Sequence, residues 1–205
     1  MPAPQGKPAA QLGRRDWLEA GQRLLRTSGV AGLKLRALAA SLSISTGSFY
    51  HHFTDFDAYL VALAKYYSGE QLAANIGAVI REAQTPYERI LRASQLARDV
   101  ALPELMVAMR AWARRDARVA AEVATLEQGL MDFLSACFTE LGFGPDEAAV
   151  RAFVMLSAAS GEVTHPEPHD RSQFGLAIID LVCGGAPALR ARKRPARVVA
   201  VAAGG

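Results

Sequence analysis

The chain is poor in several kinds of residue and pattern, and each scarcity excludes something. Two cysteines in 205 residues leave no room for a disulfide framework. Cys137 and Cys183 stand in apolar helical patterns without metal-ligand partners at useful spacing, and are expected to be buried, reduced thiols. No apolar run approaches the ~20 residues that a bilayer span needs, and residues 1–13 lack the apolar centre of a signal peptide. The expectation is a cytoplasmic protein without a membrane partner. A Gly-rich phosphate loop, a nucleophile elbow and paired carboxylates in a recognisable setting are all missing, so no catalytic residue and no cofactor are assigned. His165 and His169, with Glu162 and Glu167 nearby, read as a Pro-rich polar loop rather than a metal site. Strand pairs are missing too, because the apolar periodicity is helical nearly throughout.

What is present is the balance of a globular protein, 51% hydrophobic and 21% charged residues. The net charge of +3 is unevenly spread. Residues 1–56 hold seven Lys/Arg against three Asp/Glu, residues 57–187 eleven against seventeen, and residues 188–205 five against none. A basic head on an acidic body suggests that the head alone meets a polyanion. The tail cations Arg190, Arg192, Lys193, Arg194 and Arg197, and Arg110, Arg114 and Arg115 in the body, read as solvated charge.

Start and stop signals divide the chain into about nine helices. The first, residues 14–28, carries Trp17, Leu18, Gly21, Leu24 and Leu25 on one side and stops near Gly29. Leu35, Leu38, Ala39 and Leu42 mark a short second helix. Ser45 is the expected N-cap of a third, running to about Phe53, and Asp55 caps a long fourth helix through roughly Ala83. Thr85, Pro86 and Glu88 form a capping box with proline in the first turn, which opens the fifth helix. Pro103 and Glu104 open the sixth. The seventh, residues 116–141, repeats apolar residues every three or four positions from Val119 to Leu141 and ends at Gly142. Pro145 starts the eighth, which ends near Gly161, and Asp170 caps the ninth, which ends at Gly184.

The informative stretch is residues 32–60, GLKLRALAASLSISTGSFYHHFTDFDAYL. Two helices joined by a tight turn, the second of about two turns, have the size of a DNA-reading helix-turn-helix. Phe49 and Phe53, four apart, anchor the third helix to a core. Thr46, Gly47, Ser48, His51 and His52 then lie towards the opposite side, with Tyr50 at its flank. Small residues at the start of that helix permit close approach to a groove.

The run STGSFYHHF followed by DFDAYL resembles the TetR (tetracycline repressor) family of regulators, over about 45 residues from Arg15 to Leu60. The resemblance implies DNA contacts from Ser45, Thr46, Ser48, Tyr50, His51 and His52, with Lys34 and Arg36 at the start of the second helix; Gly47 lies within the same face. It also implies that the fourth to seventh helices enclose an effector and that the eighth and ninth pair across a two-fold axis. Three positions depart from the family pattern: Lys34 replaces a capping Thr or Ser, Ser43 stands where the turn often has Gly, and Phe56 replaces a phosphate-binding Lys. The fold class so implied is all-α, a three-helix head at residues 14–55 and an effector-binding and dimerisation domain at residues 56–186. A disordered arm, residues 1–13, and a basic flexible tail, residues 187–205, flank them.

The expected partners are therefore double-stranded DNA with a pseudo-palindromic operator, a small-molecule effector and a second copy of the chain. A helical adaptor that binds protein through the basic head is the alternative reading, and steeply salt-dependent, sequence-selective DNA binding separates the two. Tyr66, Met106, Met109, Trp112 and Phe133 fall on inward faces and are the candidate lining for an apolar or aromatic effector. Few charges share those faces. Ala149, Ala152, Phe153 and Leu156 on the eighth helix, with Phe174, Ile178 and Leu181 on the ninth, are the candidate dimer interface, since one core cannot cover apolar residues on more than one side. The long fourth helix, joined directly to the motif, is the expected lever between effector and head.

Overall fold

The computed structural model describes residues 12–159 and 171–184, and for Glu70 and residues 171–174 the backbone only. The expectations for the amino-terminal arm up to residue 11, the His165/His169 loop, the end of the eighth helix near Gly161, the Asp170 cap, the basic tail and the Phe174 side chain lie outside the described residues. Among the described residues nine α-helices follow one another: α1 (Arg14–Ser28), α2 (Leu35–Ser41), α3 (Phe56–Ser68), α4 (Glu70–Glu82), α5 (Pro86–Asp99), α6 (Leu102–Ala113), α7 (Ala117–Glu140), α8 (Pro145–Ala159) and α9 (Arg171–Cys183). Two 3-10 helices, Val30–Gly32 and Thr46–His51, lie on either side of α2. Among the described residues there is no strand, and no helix is long and apolar enough to cross a membrane.

Side chains and glycines close the helix ends where their chemistry requires it. Glu88 N–H donates to Thr85 Oγ1 at 3.2 Å while Glu88 Oε2 accepts from Thr85 N–H at 3.1 Å, the reciprocal box that starts α5. Asp55 Oδ1 accepts from Ala58 N–H at 2.7 Å at the start of α3, and Asp116 Oδ1 from Arg118 N–H at 3.0 Å at the start of α7. Gly29 and Gly142 take φ of 61° and 96°, which end α1 and the turn after α7 at no Cβ cost.

Two helical expectations need correction. The long fourth helix is two helices, broken at Gly69. There the Ser68 hydroxyl donates to the Glu122 carboxylate of α7 in a short contact, and Gly69, a poor helix former, turns the backbone to φ −99°, ψ −105°. A Cβ at Gly69 would lie 3.0 Å from the Lys65 carbonyl oxygen. The rod expected to act as a lever is therefore interrupted. The third helix is also a 3-10 helix, tightened by bonds such as His52 N–H to Phe49 O at 2.9 Å; six residues are too few to favour an α-helix. Ser45 occupies its N-cap, but the Ser45 side chain makes no capping bond.

Packing gathers the helices around two cores. The first joins Trp17, Leu18 and Leu25 of α1, Leu38 of α2, Phe49 and Phe53, Tyr59, Leu63, Tyr66 and Tyr67 of α3, the α6 residues Met106, Met109 and Trp112, and Val119, Val123 and Leu126 of α7. The boundary drawn between residues 55 and 56 thus falls inside one continuous core. The second joins Ile90 of α5, Leu134, Cys137 and Phe138 of α7, Ala148, Ala152 and Met155 of α8, and Ile179, Val182 and Cys183 of α9. Each large side chain so enclosed contributes about 1.5–3 kcal/mol. Both cysteines are free and buried, and burial pushes each thiol up to about 11.

Candidate nucleic-acid interface

The reading segment is held by an aromatic nest. The Phe49 ring has its centroid 5.3 Å from Trp17, 5.1 Å from Phe53 and 5.5 Å from Tyr59. Phe53 meets Tyr59 edge-on at 5.0 Å and takes the Arg14 guanidinium over its face at 5.3 Å. The Tyr59 hydroxyl donates to the Trp17 carbonyl at 3.1 Å inside the core, and burial pushes its phenol well above the ordinary value. α1, the 3-10 helix Thr46–His51 and α3 are thereby fixed to one another at a single point. Sequence reasoning assigned Phe49 and Phe53 to this anchor. It assigned Gly21 only to the inner face of α1 and missed its steric role, although a Cβ there would lie 2.0 Å from the Tyr59 hydroxyl oxygen.

With its apolar side committed to the nest, the segment turns its polar side outwards. Ser45, Thr46, Gly47 and His51 are exposed, Ser48 and His52 half-buried, and Tyr50 is 61% exposed although it is aromatic. Lys34 and Arg36 are exposed at the start of α2. Lys34 is its N-cap and supplies no side-chain cap. The turn into the reading segment runs through Ser43 at φ 56°, with Ile44 N–H donating back to Ala39 O at 3.1 Å. Serine occupies the left-handed position usually given to glycine, and the tight turn forms. Phe56, in place of the family's lysine, packs against Tyr59 at 5.5 Å and presents no cation.

Polar links tie α3 to α7 and α1 to α4. Arg118 of α7 grips Asp57 in the first turn of α3 through both terminal nitrogens, at 2.9 and 3.1 Å, and also reaches Asp116 at 2.9 Å. These hydrogen bonds hold both carboxyls below the ordinary aspartate value. Gln22 Nε2 donates to Gln71 Oε1 of α4 at 2.9 Å. A cleft of about 260 Å³ opens along the seam, between Ser28–Ala31 of the head and Ala108, Ala111, Arg114 and Arg115 of the body.

The other candidate residues divide. Tyr66, Met106, Met109 and Trp112 come together in the first core, but the Tyr66 hydroxyl points to Glu19 of α1 at 3.4 Å. Phe133 packs on the second core, apart from those four. Of the interface candidates, Ala149 is exposed, Phe153 is 64% exposed and Leu181 76%. Ala152 is wholly buried within the chain, while Ile178 and Leu156 are half-buried against its cores. Val150, Val154 and Leu176 are also exposed on α8 and α9. No group of three or more His, Cys, Asp or Glu among the described residues is placed to hold a metal ion.

A short polar-faced helix, packed by aromatics on α1 and α3 and set after a tight turn, defines a helix-turn-helix head of the kind found in transcriptional regulators. Residues 18–62 match the family described as "Bacterial regulatory proteins, tetR family". The match is confined to this head, and it is there that the chain is similar to that family. Solved structures share the fold over the rest. A transcriptional regulator from Rhodococcus sp. Rha1 is 21% identical with a TM-score of 0.65, covering 85% of this chain and 96% of that one. FadR from Bacillus subtilis, in complex with stearoyl-CoA, is 15% identical with a TM-score of 0.61, covering 83% and 98%. AibR, in complex with isovaleryl coenzyme A and operator DNA, is 18% identical with a TM-score of 0.57, covering 82% and 96%. A comparison with curated proteins gives no match.

Proposed function

We propose that this regulator is a repressor, a homodimer released from a palindromic operator by a small effector with a mainly apolar or aromatic body. The observation that carries the reading is the outward polar face at residues 45–52, locked in place by Phe49 and Phe53. In this reading Lys34 and Arg36 meet phosphates, and Ser45, Thr46, Gly47, Ser48, Tyr50, His51 and His52 meet phosphates or base edges. FadR and AibR, solved with acyl-coenzyme A ligands, support an acyl compound as effector. Its apolar part would enter the core of Met106, Met109 and Trp112 and leave its phosphates outside, which agrees with the scarcity of charge on those faces.

Selection of bound duplexes from a random library is expected to return a two-fold symmetric site with half-sites about one helical turn apart or a little more. Tyr50→Ala and His51→Ala are each expected to weaken binding to that site by about 1 kcal/mol or more with an unchanged melting temperature. Unchanged affinity in both variants in a gel-shift titration would remove the reading segment from the interface.

The second copy is proposed to cover Ala149, Val150, Phe153 and Val154 of α8 and Leu176 and Leu181 of α9. Light scattering at micromolar concentration should report a dimer, and Leu181→Glu should shift it to monomer because that side chain is largely free of its own chain. A monomeric wild type would contradict the assignment.

A further inference from the structure

Three buried polar atoms among the described residues have no hydrogen-bond partner within the chain: Trp17 Nε1, Arg89 Nε and the Tyr67 hydroxyl. Trp17 and Tyr67 both belong to the first core, but Trp17 packs on Phe49 under the reading segment, whereas Tyr67 lies on α3, in the part of the chain proposed to receive the effector. Its side chain is 2% exposed, so water outside the protein does not satisfy it, and an unmet buried hydroxyl is costly to keep. The hydroxyl lies within the influence of Glu127 of α7 and Arg110 of α6, and burial above all, then Glu127, raises its pKa. The phenol therefore stays protonated and has a hydrogen to donate.

The neighbouring pair decides what it can donate to. Arg110 Nε holds Glu127 Oε1 at 2.6 Å, with both side chains about two-thirds buried. The two terminal nitrogens of Arg110 engage no other acceptor among the described residues. Glu127 already balances the guanidinium, so this end of the core offers donors without net positive charge. A neutral oxygen is suited to it, whereas a carboxylate would meet Glu127 without a cation left to offset it.

The core that holds Tyr67 also contains Met106, Met109 and Trp112, two adaptable side chains and one large flat one. Two residues beyond Tyr67 the chain breaks at Gly69, and α4 buries only Val79 among its described side chains. The end of α3 that carries Tyr67 is thus not locked into a continuous rod.

We propose that the buried, unpartnered Tyr67 hydroxyl is the polar anchor of the effector site, and that the effector is an apolar molecule bearing a neutral carbonyl oxygen. The inference rests on the ligand-responsive reading above. It moves the polar handle from Tyr66, whose hydroxyl serves α1, to its neighbour. Ester and thioester share the carbonyl chemistry, and the probes separate them.

The test uses the full chain as wild type and Tyr67→Phe, with methyl octanoate, octanoyl-coenzyme A, octanoate and nonane as probes, read by thermal shift and tryptophan fluorescence. The wild type is expected to bind one or both carbonyl compounds about tenfold tighter than octanoate or nonane, the ratio that one well-placed hydrogen bond supplies. A response to octanoyl-coenzyme A alone would name the thioester as the source, and a response to methyl octanoate the simple ester. In Tyr67→Phe the preference is expected to fall to about threefold or less, while the ligand-free variant melts at the same or a higher temperature. A preference that survives the substitution, equal binding of octanoate, no binding of any probe, or a lowered melting temperature of the ligand-free variant would each overturn the anchor. A parallel titration with duplex DNA keeps the readings apart, since failure to bind DNA would count against the regulator and leave the probe result standing.

Discussion

Gly21→Ala is expected to destabilise the protein by about 3 kcal/mol or more, a large effect for the addition of one methyl group. The new Cβ would lie 2.0 Å from the Tyr59 hydroxyl oxygen and 2.9 Å from Leu63 Cδ2, both fully buried. Neither neighbour has room to retreat. Overpacking of this kind costs about 1–3 kcal/mol, and moving the phenol also breaks its bond to the Trp17 carbonyl, with a further penalty of about 1–3 kcal/mol for polar groups left unmet. Denaturant unfolding measures the loss. Combining Gly21→Ala with Tyr59→Phe identifies its origin, because removing the hydroxyl relieves the shorter contact. The double variant should be more stable than the sum of the single effects allows by at least about 1 kcal/mol. Additive effects would show that α1 and α3 do not meet as described.

Phe49→Ala should cost about 3–5 kcal/mol, the range for emptying a large aromatic from a close-packed core. Phe49 has no exposed surface, and its ring contacts Trp17, Tyr50, Phe53, Phe56 and Tyr59. The loss falls on the six-residue 3-10 helix, which has little intrinsic stability of its own. DNA binding should therefore fail even at temperatures where the body remains folded. Near-UV circular dichroism and gel shift followed together would reveal that order. Retention of operator affinity in Phe49→Ala would mean that the reading segment does not depend on its aromatic anchor.

Helix ends were the most readable part of the sequence because their signals are local. Thr85 with Glu88, Asp55, Asp116, Gly29 and Gly142 act within a few residues of themselves, and each stands where its chemistry predicts. Side-chain direction on the reading segment was legible for the same reason, since the Phe49 and Phe53 spacing fixes which side is buried. What escaped depends on distant partners. The break at Gly69 involves Glu122, 54 positions from the serine it holds. Helical periodicity places both Tyr66 and Tyr67 inside, and only the three-dimensional neighbours show that one hydroxyl has a carboxylate and the other nothing. Ala152 looks available for a second copy until α8 is packed against its own chain, when it vanishes from the surface while Phe153, one residue on, stays open.

The membership of α7 in both cores has a geometrical consequence. Its amino-terminal half packs with α3 and α6 and its carboxy-terminal half with α8 and the core that includes α9, so its 24 residues make a spar about 36 Å long at 1.5 Å per residue. A tilt of about 6°, roughly a tenth of a radian, at the α8 and α9 end would carry the other end through about 4 Å, close to the 3.4 Å rise between successive base pairs. A shift of that size at the amino-terminal end would be handed to the first turn of α3 through the grip of Arg118 on Asp57.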